Sequence, residues 1–485
     1  MKLKGKILSG LLVTVLLVTS LTGCKSSSKD TKKEPEDVQA TAENLEQQIK
    51  EGGETNLTPS KPTKVTFWHS VSGDKEIILK EIVDDYNAGP GAEKGIEVDA
   101  IYQGSYEDFS TKLAAALQAK DMDNIPDIVQ LSSKGIFDVK DSEFMYPVQN
   151  LIDIDPNGID TSTFNAASAA YCTYDNKLLG LPFSTSSIMM YYNKDHFKEA
   201  GLDAENPPKT IAELADAVNK LTVRKGDKIE RYGLGTQLRF FILGTWIPSL
   251  GSEYAMFNND NGRSATPTEI TMTKDGSLEK VLTEWKAVLD TKGVEYTDSK
   301  PNEAFLSGYY SIMFASTSSL TSVIQKAVDT GTMDLGVAEI VRVDDKGSAA
   351  TGIGGSALYM FNRGNQDSIL GTWDFFKYLS TPEVSAKWYA GTGYYPMNTA
   401  AFDMPEVVER VEKYPQYKII DTIIEHSAGF TDYTEPWIPA FSDTDTLIQD
   451  EIIKFSDGSQ DLETTIKNCD VGSTQKLEDY LSANQ

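Results

Sequence analysis

The chain has 485 residues, 40% of them hydrophobic and 24% charged, with a formal net charge of −27. That length exceeds a single core and predicts two lobes, while the composition excludes a fibrous or wholly disordered chain. The acidity argues against a nucleic-acid partner, because phosphates demand clustered Lys and Arg.

The chain opens on Lys2, Lys4 and Lys6, followed by an apolar run over residues 7–21, the pattern of a secretion signal. Leu21-Thr22-Gly23-Cys24 resembles a bacterial lipobox, in which the Cys24 thiol accepts diacylglycerol. Residues 1–23 are therefore expected as a lipoprotein signal peptide and Cys24 as the lipidation site. Cleavage there removes three lysines and no acid, taking the charge from −27 to −30. No later run reaches the ~18 apolar residues of a membrane span. Residues 24–62, rich in Ser, Lys, Glu and Thr, read as the acylated cysteine and a solvated tether, with a transient helix over residues 44–50.

From Val65 strand and helix alternate. Val65-Thr66-Phe67-Trp68 is a first strand, and Ile78, Ile82 and Tyr86, four apart, mark the inward face of a helix. Residues 96–101 give a second strand, Phe109, Leu113 and Leu117 a second helix, and residues 127–131 a third strand. This order implies a parallel sheet with ligands at the carboxyl ends of its strands. Gly180–Leu202 then packs a turn, an extended Leu181-Pro182-Phe183, a hydroxyl-rich crossing at Ser184–Ser187 and a buried strand at Ile188–Tyr192 into one run. Asp195 is expected to cap the following helix, which Gly201 closes. Thr210-Ile211-Ala212-Glu213 is a capping box that opens a helix with Leu214, Val218 and Leu221 inward. Leu282, Trp285 and Val288 line another helix, residues 311–314 form a strand, Gly352–Gly355 a flexible return, and Thr381-Pro382-Glu383 a capped helix start.

Several blocks carry a resemblance in one order: Phe67-Trp68-His69-Ser70, Tyr102-Gln103-Gly104-Ser105-Tyr106-Glu107, Pro126-Asp127-Ile128-Val129, Ser307-Gly308-Tyr309-Tyr310, Gly354-Gly355-Ser356 and Gly391-Thr392-Gly393-Tyr394-Tyr395-Pro396. With the Gly180–Leu202 stretch they resemble the extracellular solute-binding proteins of ABC importers, in the group handling carbohydrates and glycerol-3-phosphate. The resemblance implies an α/β, two-lobe periplasmic-binding-protein-like fold with a hinged cleft. Lobe 1 would be residues 63–183 and 354–395, and lobe 2 residues 184–353 and 396–485. It also implies a monomer, lipid-anchored to the outer face of the bacterial cytoplasmic membrane, that hands a small molecule to permease subunits.

Matching positions put Tyr106, Ser186, Ser316, Gly355 and Tyr394 where that group holds its ligand. Ser133 stands where the group has a glutamate, Ile211 where it has a tryptophan, and Asp445 near an expected phosphate-holding arginine. A phosphate buried beside carboxylates without Arg is poorly compensated. A neutral sugar or oligosaccharide is therefore the expected ligand, with glycerol-3-phosphate or a glycerophosphodiester as the alternative. Sugars present a C–H face that aromatic rings cover, so Tyr106, Trp246, Tyr394 and Trp437 are candidate platforms.

Other chemistries find less in the sequence. His69, His196 and His426 lack the spacing of a zinc site, and no nucleophile elbow or phosphate loop occurs, so neither enzyme nor cofactor is expected. With 72 acidic residues, a glycosidase pair stays open, as does a surface carbohydrate-binding protein independent of transport. Asp153-Ile154-Asp155-Pro156-Asn157-Gly158 imitates a calcium loop, but Phe164 stands where the bidentate Glu belongs, so a side-chain-stabilised turn is expected instead. Cys172 and Cys469 specify no disulfide framework and read as two buried thiols, with pairing left open.

Overall fold

The structure is a computed structural model that describes residues 38–52, 57–296, 301–348, 350–427 and 433–483. The signal peptide and Cys24 lie outside the described residues. The tether expectation needs a correction at its distal part, where helix α1 (Val38–Gly52) is docked on the body with Val38, Leu45 and Ile49 buried. The Asn362 amide donates to the Val38 carbonyl at 2.7 Å, and the Tyr146 hydroxyl donates to Glu46 at 2.8 Å. The apolar residues at positions 38, 45 and 49 are few, but their helical spacing gathers them on one face.

Strands β1 (Thr63–His69), β2 (Ile96–Tyr102) and β3 (Ile128–Leu131) are parallel, with β1 central. Helix α2 (Asp74–Ala88) joins β1 to β2 and α3 (Tyr106–Gln118) joins β2 to β3. A short helix α4 (Ser133–Ile136) follows, capped by Ser132, whose hydroxyl accepts from the Lys134 amide at 3.3 Å. This is the βαβαβ order expected of the sequence.

The chain then enters β4 (Gly180–Asn193), a single strand of 14 residues, all buried. Leu181-Pro182-Phe183 is extended, as expected, and lies within this strand. Pro182 sits inside the strand opposite Ala357, beside a register shift that accommodates its missing N–H. Asn193, not Asp195, caps the next helix, its side chain accepting from the Asp195 and His196 amides.

The chain continues with α5 (Ile211–Leu221), β5 (Lys228–Thr236), α6 (Phe240–Ser249), α7 (Ser277–Asp290), β6 (Val294–Tyr296), β7 (Tyr310–Ser316), α8 (Leu320–Ala327) and β8 (Leu335–Glu339). The Thr210 hydroxyl caps α5, accepting from the Glu213 amide at 3.2 Å. Strand β9 (Ile353–Phe361) returns to lobe 1, absorbing the expected Gly352–Gly355 loop from Ile353 onward, and α9 (Gln366–Leu379) and α10 (Pro382–Thr392) follow. The chain ends with α11 (Pro405–Lys413), α12 (Lys418–Ser427), α13 (Phe441–Ser456) and α14 (Leu462–Ala483).

Among the described residues 11 strands form one continuous sheet, whose main path runs β6-β5-β7-β4-β9-β3-β1-β2, and a separate two-stranded hairpin spans residues 173–178. The two lobes share it through β4. Residues 180–187 of β4 pair with β9, whereas residues 188–193 pair with β7 and β8. The partner change falls at Ser187/Ile188, beside the expected crossing. Beyond it the side chains alternate by face. Met189 and Tyr191 join the core cluster that extends through lobe 1, and Ile188, Met190 and Tyr192 join the cluster under α5 and α7. A third connection passes at residues 433–437, where the Ile353 amide donates to the Tyr433 carbonyl at 2.7 Å and the Glu435 amide to the Ile353 carbonyl at 3.1 Å. Just past residue 395, Asn398 bridges Phe164. Helices α11 and α12 follow, and the Tyr414 hydroxyl donates to Asp329 at 2.7 Å.

The calcium-like loop is an anchor. Asp155 accepts from its own loop at the Asn157 amide (2.9 Å), from the Trp373 indole (2.8 Å) and from Lys377 (3.1 Å). Cys172 and Cys469 are buried free thiols, one in each core cluster.

Candidate functional site

Between the lobes lies a cavity of about 330 Å³, within the range of small-molecule sites. Lobe 1 contributes residues 70–75 after β1, Tyr106 at the start of α3 and Gln130 in β3. Lobe 2 contributes Thr321, Ser322 and Gln325 from α8, and Gly391 and Tyr394 close the end near α10. This is the carboxyl edge of the parallel strands, where an α/β sheet leaves its crevice.

Gln130 organises the floor. It is 1% exposed. Its carbonyl oxygen accepts from the Ser70 amide at 3.1 Å, and its amide donates to the Ser184 hydroxyl at 3.1 Å and the Ser356 hydroxyl at 2.9 Å. Ser184 and Ser356 belong to β4 and β9, so one side chain ties the cavity to two of the interlobe strands. The Tyr106 hydroxyl donates to Ser356 at 2.9 Å. Gln130 was missed from the sequence, although a polar residue inside the apolar strand Ile128–Leu131 was its signal.

Tyr394 rests on Trp388 and hydrogen-bonds Ser318. Lys75 holds its ammonium 4.5 Å from the centre of the Tyr394 ring. Burial pushes both the Tyr106 and Tyr394 phenols above their ordinary value, so each is a neutral donor. Of the lining residues only Asp74 and Lys75 carry charge; the others offer hydroxyls, amides and ring faces.

The remaining sequence candidates fall into three groups. Ser186 and Ser316 bond to each other at 3.0 Å where β4 meets β7, and Ser316 also meets Ser318, the partner of Tyr394. Ser133 and Gly355 are joined through Tyr171: the Ser133 amide donates to the Tyr171 oxygen at 3.0 Å, and the Tyr171 hydroxyl donates to the Gly355 carbonyl at 2.9 Å. Trp246 and Trp437 are wholly enclosed. Trp246 donates to the Val341 carbonyl at 2.8 Å and packs on Trp285, while Trp437 lies between Tyr174 and the Arg263 guanidinium. The structure gives neither indole an open face, because both are packed as core. Near Trp437, Glu435 is hydrogen-bonded to Ser133 and set against Gly354. Burial, and after it the nearby Asp445 charge, push its carboxyl up to about 7. Asp445 is itself held by the Phe240 amide at 2.8 Å and by Arg239 at 3.2 Å.

The family described as bacterial extracellular solute-binding protein matches residues 81–418. Similar relatives include the sn-glycerol-3-phosphate-binding periplasmic protein of Salmonella typhimurium, 30% identical over 73% of this chain and 78% of that protein. The corresponding protein of Pectobacterium atrosepticum is 28% identical over 73% of this chain and 77% of that protein. Two solved structures share the fold. The Mycobacterium tuberculosis UgpB structure with glycerophosphocholine has a TM-score of 0.70 at 19% identity, covering 86% of this chain and 99% of that one. The cyclic alpha-maltosyl-1,6-maltose binding protein of Arthrobacter globiformis has a TM-score of 0.68 at 21% identity, covering 86% and 100%.

Proposed function

The chain belongs to the bacterial extracellular solute-binding protein family, and from that premise we propose that its ligand is a neutral sugar or oligosaccharide. It serves an ABC importer by capturing solute between its lobes and presenting it to permease subunits. A ligand that touches both lobes favours the closed form, and a permease can read that form.

The observation that carries the ligand class is the lining of the interlobe cavity. Tyr106 and Tyr394 supply ring faces, while Ser70, Ser72, Gln130, Thr321, Ser322 and Gln325 supply groups that answer sugar hydroxyls. A second reading, glycerol-3-phosphate or a glycerophosphodiester, is favoured by the names of the similar relatives and by Lys75 in the lining. Asp74 in the same lining and the pairing of Arg239 with Asp445 count against it. Calorimetry with neutral oligosaccharides and with glycerol-3-phosphate decides between them. Saccharide binding is expected; glycerol-3-phosphate binding with every saccharide silent would overturn the reading.

The protein is proposed to bind its ligand without turning it over, and to act as a monomer. Release of shorter sugars by the purified protein would show otherwise. Cys24 is proposed to carry a lipid that holds the protein on the outer face of the membrane. No helix among the described residues is long and apolar enough to cross one. Cys24→Ala is expected to release the protein or leave it unprocessed; a fully processed variant that stays on the membrane would refute the anchor.

A further inference from the structure

Gln130 lies in β3 opposite Leu358 of β9 and lines the cavity. Its neighbours fix which way its amide points. The Ser70 backbone N–H, 3.1 Å away, can only donate, so the Gln130 carbonyl oxygen must face it. Both amide protons then turn to the other side, one to the Ser184 hydroxyl at 3.1 Å and one to the Ser356 hydroxyl at 2.9 Å. Ser184 and Ser356 are partners across β4 and β9, at the edge of the register shift between Ser356 and Ala357. A few residues on, at Ser187/Ile188, β4 leaves β9 for β7 and β8.

Ser356 also accepts from the Tyr106 hydroxyl at 2.9 Å, and Tyr106 hydrogen-bonds the Ser70 side chain. Gln130, Ser70, Tyr106 and Ser356 therefore close a ring of hydrogen bonds, with Ser184 as its branch. Gln130, Ser70 and Tyr106 line the cavity, whereas Ser184 and Ser356 stand behind it in the strands that pass between the lobes. Tyr106 and Gln130 share one acceptor, so a shift of either is felt by the other. Ser184 and Ser356 are wholly enclosed, and a bond broken at that end has no water to replace it.

We propose that Gln130 is a positioning residue, which holds Tyr106 against Ser356 and so couples the contents of the cavity to the pairing of β4 with β9, where the lobes join. This rests on the cavity being the ligand site, as read above, and not on the charge of the ligand. A ligand that draws on the Tyr106 hydroxyl or on Ser70 pulls on Ser356 through the shared acceptor. Gln130 carries that pull to Ser184 in the neighbouring strand, and the ligand thereby favours one arrangement of the passage over another. Both amide protons of Gln130 and the oxygen facing Ser70 are already engaged, so it acts through its partners and not as a platform of its own.

The test uses the full chain with spin labels at Lys80→Cys on α2 and Glu279→Cys on α7, two exposed positions; Cys172 and Cys469 are buried and stay unlabelled. Gln130→Met keeps the length of the side chain and deletes the amide. In the free protein it is expected to broaden the distribution of distances between the labels, and Ser356→Ala to do the same. Ile452→Ala, a truncation in the core under α13, is expected to lower the melting temperature and leave the distances as in wild type. Binding is read by calorimetry with maltotriose, mannotriose and glycerol-3-phosphate. For whichever of these binds, Gln130→Met is expected to cost roughly tenfold in affinity, but less than about threefold once Tyr106→Phe is present, since the two act along one path. Wild-type distances in Gln130→Met overturn the proposal, and so do distances in Ile452→Ala that broaden as much. Affinity losses that simply multiply in the double variant overturn it as well. Should Gln130→Met fail to fold, Ser356→Ala decides in its place, and should none of the probes bind, the free-protein distances decide. Glycerol-3-phosphate binding with the coupling intact and both saccharides silent would refute the neutral-ligand reading and leave the positioning role standing.

Discussion

Trp388 and Tyr394 stack with ring centroids 5.8 Å apart and planes 2° from parallel. Phe183 of β4 stacks on Trp388 in turn, at 4.5 Å and 20°. A column of three rings therefore runs from the shared strand to the cavity wall. Tyr394 is placed by packing, and an aromatic surface held this rigidly loses little freedom when a ligand covers it.

That placement predicts that Tyr394→Ala weakens binding of the identified ligand by about 1–3 kcal/mol, the scale of a buried large side chain. This corresponds to roughly tenfold to over a hundredfold in affinity. Tyr394→Phe should retain most of the affinity, since it loses only the bond to Ser318. Wild-type affinity in Tyr394→Ala, measured by calorimetry, would remove Tyr394 from the site.

Trp246 should behave in the opposite way. It is fully buried against Trp285 and Phe314. Trp246→Ala is expected to cost about 3–5 kcal/mol of stability through the cavity it leaves. Thermal unfolding reads this directly. Any protein that still folds should bind near normally, whereas a loss of affinity with an unchanged melting temperature would restore Trp246 as a ligand platform.

Gly355 has φ of 108°, and a Cβ there would lie 2.2 Å from the Ser184 carbonyl oxygen. No L side chain accepts that backbone without strain, and the strand opposite cannot retreat without losing its ladder. Gly355→Ala is expected to lower the melting temperature and loosen the pairing of β4 with β9. Hydrogen exchange at Ser184–Ser187 as slow as in wild type would count against this account.

The Glu435 carboxyl, raised to about 7 in the fold, also links stability to pH. An acid whose folded value lies above its unfolded value of about 4.3 binds its proton more tightly when folded. Its contribution is therefore present below about pH 4.3, is lost as pH rises towards 7, and is flat beyond. Glu435→Gln should flatten this part of the stability profile in denaturant titrations across that window. An unchanged slope would mean that the carboxyl ionises freely in the native protein.

The sequence by itself determined the parts that depend on local pattern. Strand and helix periodicities placed β1 to β3 and their helices, Thr210 and Thr381 marked helix starts, and the hydroxyl run at Ser184–Ser187 located the passage between lobes. Ordered motifs placed Tyr106 and Tyr394, which the structure brings to one cavity. Tertiary structure alone decided which rings have an open face, because exposure depends on neighbours remote in sequence: Trp246 is covered by Trp285, and Trp437 by Tyr174 and Arg263. It also decided that residues 38–52 dock as a helix, since three apolar side chains gain burial only where a body offers a matching surface. Gln130 and Glu435 became legible last. A polar side chain inside a strand or beside a buried tryptophan is mute in sequence, and its meaning comes from Ser184, Ser356 and Ser133, which only folding brings within reach.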